Sequence, residues 1–470
     1  MSTPGTPTPA SQLKDLLIPT DHLGIDSDGD LQIENQSAPE LLGRFGSPLY
    51  VISEATLRAN FRRIRRAFES SWPSPVNIMY AIKANTNLAV RAILHQEGAG
   101  GDCFSEGELL ATFKAGADPD KIALNGGCKS PACLRIAVER GITVNLDAES
   151  EIDPLLAICR ELGKTVKLNI RLKAVSDDFN ETRTDYFGGP RLADHVRRVK
   201  WGFSPESCCK LIPKIQAKAE LCLTGFSAHI GRVSSEENFY RAYGHAIAEA
   251  VLSIHKSSGF APSVLDIGGG WPRERDPESR HLALNPVPVE TYASLVCTAI
   301  AERFDSRALP FPELWVEPGR YIVGNASVLL ATVQTIKHDL GLTWVHVDAG
   351  TNELPRIDTS GSAYHVIAAT EMNRPAKQSV DIVGPTCIDS LLGRDVAMPE
   401  LRAGNIIAVL DAGMYSESAS TQFNSIPRPA TVLVNGADSD VVKSRETLDD
   451  VFRHQRIPER FKIQTDPLDQ

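Results

Sequence analysis

The stretch Val76-Asn77-Ile78-Met79-Tyr80-Ala81-Ile82-Lys83-Ala84-Asn85 decides how the chain is read. Its apolar first part has the length and composition of a buried strand. The strand ends on a lysine. Charged residues at the carboxyl end of a barrel or open-sheet strand are where chemistry gathers. A partly desolvated lysine amine there loses its charge and becomes nucleophilic, which suits a Schiff-base residue. On this segment alone a plainer reading, a strand-end lysine reaching for solvent, stands ahead. The rest of the chain reverses that order.

Outward from this strand the pattern repeats. Strand-like runs fall at 76–82, 99–104, 121–125, 143–146, 166–172, 222–229, 263–267 and 313–316. Helical patterns lie between most of them, for example at 88–96, 106–115, 130–140 and 235–255, and an amphipathic charged stretch at 54–68 precedes the first. Strands alternating with helices in this way predict an α/β fold, a closed parallel (β/α)8 barrel of the TIM type. A doubly wound open sheet is the alternative. After about Pro318 the texture changes. Runs at 327–336, 344–347, 379–383, 405–410 and 430–434 are separated by Gly/Pro/Asp turns, which predicts a C-terminal all-β barrel or sandwich. Pro48-Leu49-Tyr50-Val51-Ile52 precedes the barrel and is a candidate to join that β domain. The expected division is a disordered tail at 1–14, a segment at 15–52 joining the β domain, the barrel at 53–317, the β domain at 318–455 and a tail at 456–470. Asp26-Ser27-Asp28-Gly29-Asp30-Leu31 has the start of a calcium loop. Leu31 stands where glycine is required and Ser37 where the bidentate glutamate belongs, so a turn between strands is predicted instead.

Composition excludes several classes. The 470 residues carry a formal net charge of −10 with the signs interspersed, and no basic stripe marks a nucleic-acid surface. No run reaches membrane-spanning length, and the N-terminus lacks a signal-peptide pattern. Nine cysteines are scattered at irregular spacing without a C-x-x-C pair. That pattern points to a reducing, cytoplasmic setting rather than a disulfide framework, and no metal site is expected.

Four constellations carry chemistry. Gly268-Gly269-Gly270 follows the seventh run; such a turn lets backbone approach an anion, although a plain tight turn is as good a reading. Glu317-Pro318-Gly319-Arg320 ends the eighth, where barrels often bind phosphate and Arg320 adds a bidentate donor. Glu317 is then a carboxylate in the barrel mouth, with an ion pair to Arg320 as the alternative. His229 ends the sixth run and either faces a ligand or is a satisfied structural residue. Cys387 lies beside Asp389 in the Gly384-Pro385 loop, which favours chemistry over an inert core position.

Taken in order, these segments resemble the barrel-type pyridoxal-phosphate decarboxylases that act on ornithine, arginine and diaminopimelate, and most of all the diaminopimelate branch. The resemblance covers residues 46–451 and rests on Tyr-Ala-Ile-Lys-Ala-Asn (80–85), His-Ile-Gly (229–231), Gly-Gly-Gly (268–270), Glu-Pro-Gly-Arg (317–320), Asp-Ala-Gly (348–350), Gly-Pro-x-Cys (384–387), Asp-Ala-Gly-x-Tyr (411–415) and Pro-Arg-Pro (427–429). It implies pyridoxal 5'-phosphate as cofactor, held by Lys83 as an internal aldimine, and an amino acid as substrate. It further implies that His229 stacks on the pyridine ring and that Glu317 pairs with the ring nitrogen. On the same resemblance, Gly268, Gly269, Gly270, Gly319 and Arg320 would form the phosphate site, Asp102 and Arg171 would line the cofactor, and Tyr415 would lie near phosphate and substrate. Cys387 would complete the active site of the other subunit of a homodimer and return a proton to the substrate carbon. A carboxylate at the ring nitrogen suits decarboxylation, where an arginine would suit racemisation.

The departures from that pattern fall in the substrate-reading segments. The family's Cys-Glu-Ser is Cys387-Ile388-Asp389-Ser390 here, and the serine usual after His-Ile-Gly is Arg232. Arg356 matches a substrate-carboxylate arginine, but Ile357-Asp358-Thr359-Ser360 replaces what normally follows. These changes leave three readings open: diaminopimelate itself, another diamino acid, or an intermediate of a specialised pathway such as siderophore or antibiotic assembly, with Asp389 as a contact for a distal amine or Arg232 instead for an extra carboxylate. A non-catalytic, cofactor-binding regulatory homologue is the alternative of another class.

Overall fold

The computed structural model describes residues 7–175, 192–229, 235–277 and 282–461. Eight strands close into a barrel in chain order: β1 (Val76–Ala81), β2 (Gly100–Cys103), β3 (Ile122–Leu124), β4 (Thr143–Leu146), β5 (Val166–Arg171), β6 (Leu221–Ser227), β7 (Val264–Asp266) and β8 (Glu313–Val316). Every neighbouring pair is parallel, and β8 closes on β1 through Leu314 beside Val76 and Val316 beside Ile78. The eight runs read from the sequence are these eight strands. Parallel strands are covered on both faces, so they read as nearly unbroken apolar runs; Val144, Leu146, Leu168 and Ile170 are all fully buried.

The helix Glu54–Glu69 shows how the outer layer is specified. Ser53 caps it by accepting from the Thr56 amide, and Glu54 complements the helix dipole in the first turn. Leu57, Phe61, Ile64 and Phe68 recur at helical spacing and are all buried against the barrel.

A second sheet forms the β domain. Its path runs Leu391–Met398, Gln378–Val383, Leu342–Val347, Ser327–Asp339, Leu49–Ser53, Ala430–Asn435 and Asp438–Lys443, with Ile406–Val409 and Val366–Ala368 beside it. The segment that precedes the barrel therefore lies inside this sheet, antiparallel to Ser327–Asp339 and parallel to Ala430–Asn435. Alternation along it feeds two cores: Tyr50 joins Val345, Ile382 and Ile407, while Leu49 and Val51 join Leu330, Ala408 and Val432.

The N-terminal region corrects one expectation. Residues read as a disordered tail include a helix, Pro9–Leu16, with a reciprocal Thr8/Ser11 capping box. Leu13 is 2% exposed and packs with Leu31 and Ile33 in the β-domain core. The Asp26–Asp30 segment is the turn between Leu23–Ile25 and Leu31–Ile33, with Asp26 Oδ1 accepting from the amides of Asp28 and Asp30. A buried clasp then ties this region to both domains. Arg275, beyond β7, meets Asp21 at 2.9 Å and Asp411 at 2.5 Å, and Arg273 meets Asp411 at 3.2 Å. All four side chains are 1% exposed. Among the described residues no helix is long and apolar enough to cross a membrane.

Candidate active site

Parallel strands present all their carboxyl ends at one mouth, and the polar residues gather there. Lys83 follows β1, Asp102 lies in β2, Asn125 follows β3, Arg171 ends β5, His229 follows β6 and Glu317 follows β8. The Lys83 side chain is 37% exposed; its Nζ lies 2.6 Å from Oδ2 of the fully buried Asp102 and 4.7 Å from the centre of the Phe104 ring. Burial alone would lower its pKa. The Asp102 carboxylate, then Tyr415 and Glu317, outweigh burial and hold it above the ordinary 10.5. The neutral amine expected of a desolvated strand-end lysine is thus corrected: Asp102 keeps Lys83 protonated.

The acidic side of the site is bridged by an amide. Asn125 Nδ2 donates to Asp102 Oδ1 at 2.7 Å and to Glu317 Oε1 at 2.8 Å. Glu317 is 1% exposed, and burial, then repulsion from Asp102 and Asp266, drives its pKa well above 4.5. Its Oε2 is buried without a hydrogen-bond partner. The alternative of a Glu317–Arg320 ion pair is not what forms, since Arg320 faces Asp276 at 3.7 Å. His229 is half-buried; burial, followed by the positive charges of Arg171, Lys83 and Arg320, keeps its imidazole neutral.

The glycine turn is wedged between these groups. Gly268 and Gly270 have φ of 71° and 93°, in the left-handed region. A Cβ on Gly268 would meet Ala228 O and His229 at 2.7 Å, and one on Gly269 would run into the carbonyl of Glu317. Only bare backbone fits between His229 and Glu317. Gly319 lies under Ala81 and Ala84, so the Glu317–Arg320 turn also backs the lysine segment.

From the β domain, the Tyr415 amide donates to Ala84 O at 2.7 Å and Ser418 Oγ to Lys83 O at 3.3 Å. The guanidinium carbons of Arg320 and Arg356 lie 5.7 Å and 5.0 Å from the Tyr415 ring centre. Tyr415, Arg320 and Arg356 are thereby brought together beside Lys83. Cys387 and Asp389 are not. Both are exposed in their loop, where the Cys387 amide donates to Asn424 Oδ1 at 3.2 Å. Among the described residues no hydrogen bond or ion pair joins them to Lys83, Asp102 or Glu317. Arg232 lies outside the described residues.

Sequence reading missed Asn125, Asn145, Asn169, Ser227 and Asp266, all buried in the barrel interior. The signal was present: each is polar and sits within or next to an apolar strand run.

Residues 54–324 match the family described as pyridoxal-dependent decarboxylase, pyridoxal binding domain. The chain belongs to the pyridoxal-dependent decarboxylases. Diaminopimelate decarboxylase of Methanothermobacter thermautotrophicus is 34% identical over 444 residues, covering 93% of this chain and 98% of that protein. The Aquifex aeolicus enzyme of the same name is 33% identical over 427 residues, covering 90% and 94%. Among solved structures, diaminopimelate decarboxylase from M. jannaschii superposes with a TM-score of 0.82 at 26% identity, covering 93% of this chain and 98% of that one. The same protein in complex with L-lysine gives 0.81 at 26% identity over 94% and 100%. This decarboxylase is accordingly a pyridoxal-phosphate-dependent carboxy-lyase built as a TIM-type barrel with a separate mixed β-sheet domain.

Proposed function

We propose that the decarboxylase acts on a diamino acid of the diaminopimelate class, with Lys83 carrying the cofactor and Cys387 of the partner subunit supplying the proton. The observation that carries this reading is the bonded series Lys83–Asp102–Asn125–Glu317 across the barrel mouth, at 2.6, 2.7 and 2.8 Å.

The residues present fit pyridoxal phosphate. Lys83 supplies the amine that an aldehyde requires. Glu317 has an unpartnered buried oxygen and a raised pKa, which suits a group that shares a proton with a ring nitrogen. His229, being neutral, offers a flat uncharged face. The left-handed turn Gly268–Gly270, Gly319 and Arg320 would hold the phosphate, with Asp102, Arg171 and Tyr415 lining the rest. Bound pyridoxal phosphate supplies an electron sink for breaking a bond at the amino-acid α-carbon. Asp102 orients the Lys83 amine, Glu317 keeps a proton opposite it, and Arg356 offers positive charge to a substrate carboxylate.

An exposed Cys387 without bonds to its own chain's lysine supports a homodimer with shared sites. As general acid its thiol would return a proton to the substrate carbon. All nine cysteines are free, which fits a reducing, cytoplasmic setting. L-lysine, found with the M. jannaschii protein, is diaminopimelate less one carboxyl group, and it supports that substrate class.

A second substrate reading has its own observation. Ile388, at the family's glutamate position, is 43% exposed, and the exposed Asp389 follows it. That exchange favours a different diamino acid whose distal amine meets Asp389. The deciding experiment is carbon dioxide release from meso-diaminopimelate by purified protein with added pyridoxal phosphate, with other diamino acids run in parallel. Release from diaminopimelate upholds the first reading, and release only from another amino acid upholds the second. No release from any would leave a cofactor-binding regulator. Lys83→Ala should abolish the visible band of bound cofactor, and an unchanged spectrum would sink the lysine assignment.

A further inference from the structure

A directed ladder of side-chain amides crosses the barrel interior toward the site. Thr224 Oγ1 on β6 lies 2.8 Å from Asn169 Oδ1 on β5. Asn169 Nδ2 donates to Asn145 Oδ1 on β4 at 3.1 Å, and Asn145 Nδ2 donates to Asn125 Oδ1 at 2.9 Å. Asn125 then spends its donor end on Asp102 and Glu317. The three asparagines are 0–1% exposed.

An amide has one donor end and one acceptor end, so the ladder has a direction. Arg171 Nη1 supports the same direction. As a group that only donates, it points at Asn125 Oδ1 from 3.3 Å. Turning the Asn125 amide over would set its oxygen against two carboxyl groups and its NH2 against Arg171 and the NH2 of Asn145. In a low-dielectric interior such a reversal leaves several buried groups unsatisfied at once.

We propose that Asn125 is a positioning residue whose amide holds Asp102 and Glu317 in fixed relation, and that Asn145 and Asn169 act through it by fixing which way that amide faces. Asp102 serves the lysine and Glu317 the opposite side of the site. Both are acids, and the donor they share is the neutral amide between them. Without it the two neighbouring carboxyl groups lose a hydrogen bond each, which further disfavours the charged form of Glu317. The titratable and charged groups in this cluster or facing it include Lys83 after β1, Asp102 on β2, Glu108 in the helix after β2, Arg171 on β5, His229 after β6, Asp266 on β7, Glu317 and Arg320 after β8, and Tyr415 from the β domain.

The proposal rests on the reading of Lys83 and Glu317 as cofactor-holding groups. The test therefore begins with the wild-type holoenzyme, whose visible band and its loss in Lys83→Ala decide that reading separately. The pH midpoint of the band is then measured in Asn125→Leu, Asn145→Leu and the double variant. In Asn125→Leu the midpoint should move by about one pH unit or more, and kcat should fall about tenfold while KM stays within about threefold. Asn145→Leu should move the midpoint in the same direction by less. The double variant should match Asn125→Leu, because Asn145 acts only through Asn125. A wild-type midpoint in Asn125→Leu, or additive shifts in the double variant, overturns the proposal. If Asn125→Leu does not fold, Asn145→Leu decides alone, and an unmoved midpoint there overturns it.

Discussion

The ammonium of Lys83 meets Oδ2 of Asp102 at 2.6 Å, and that carboxylate has no exposure to solvent. An amine so paired starts out charged, whereas attack on an aldehyde requires it neutral. On the proposed role of Lys83 as the cofactor-holding amine, Asp102 places the lysine while slowing its combination with the cofactor at neutral pH. In Asp102→Asn the lysine loses the charge that raises its pKa. The pH at which the rate of combination with pyridoxal phosphate rises should move down by about one unit or more. Stopped-flow absorbance across a pH series measures this, and an unmoved or upward profile would count against the pairing.

Glu353 is a pH-dependent element of the β domain. Burial pushes its pKa up to about 7 from the ordinary 4.5, while its carboxylate accepts from the Gly350 amide at 2.7 Å. The folded state thus binds a proton that the unfolded state has released. Its contribution to stability is fully present below about pH 4.5 and is lost as pH rises through about 7. The loss is on the order of 3 kcal/mol at most. Glu353→Gln keeps an acceptor for Gly350 and should flatten this fall. Urea midpoints at pH 5 and pH 8, wild type against variant, would read it directly.

The buried clasp should matter for stability more than surface ion pairs do. Asp411 answers both Arg273 and Arg275, at 3.2 and 2.5 Å. Asp411→Ala leaves the buried Arg273 guanidinium without a carboxylate and Arg275 with Asp21 alone, at an expected loss of about 3–5 kcal/mol. Equilibrium denaturation should show a lower midpoint at unchanged m-value. Removing a surface pair such as Lys210–Glu206, whose side chains are 70% and 80% exposed, should leave the denaturation midpoint unchanged.

The proposed sharing of sites between subunits predicts complementation. Lys83→Ala and Cys387→Ala should each be inactive or nearly so as pure proteins, with Cys387→Ala retaining the cofactor band. Mixed and allowed to exchange subunits, they should recover up to about a quarter of wild-type activity, because each hybrid dimer holds one intact site. If mixing restores nothing while exchange is demonstrated, Cys387 acts within its own subunit or does not act.

The fold was legible because each barrel strand is a short apolar run followed by a polar or glycine-bearing turn, and the order of those turns placed Lys83, His229, Gly268 and Glu317 at one mouth. The interior amides were not legible in the same way. Asn145 in Thr143–Leu146 and Asn169 in Val166–Arg171 look like interruptions in a strand, and their meaning appears only once neighbouring strands stack them in register. Thr8 and Pro9 misled for the opposite reason. A Thr/Pro/Ser-rich composition suits disorder, yet here it supplies a capping box and the first turn of a helix whose Leu13 reaches a distant core. Protonation of Lys83 was equally invisible, because it depends on a carboxylate from the next strand.

One feature of the β domain bears on how the polypeptide is made. Leu49–Ser53 is synthesised before the barrel, but both of its sheet neighbours, Ser327–Asp339 and Ala430–Asn435, come after the whole barrel. The barrel can close on the ribosome while this strand still has two bare edges. Its apolar residues then wait through most of translation before pairing, a long-range closure of the kind that slows folding and exposes nascent chains to association. The barrel is in effect inserted into another domain's sheet, and strands made after it complete one made before it.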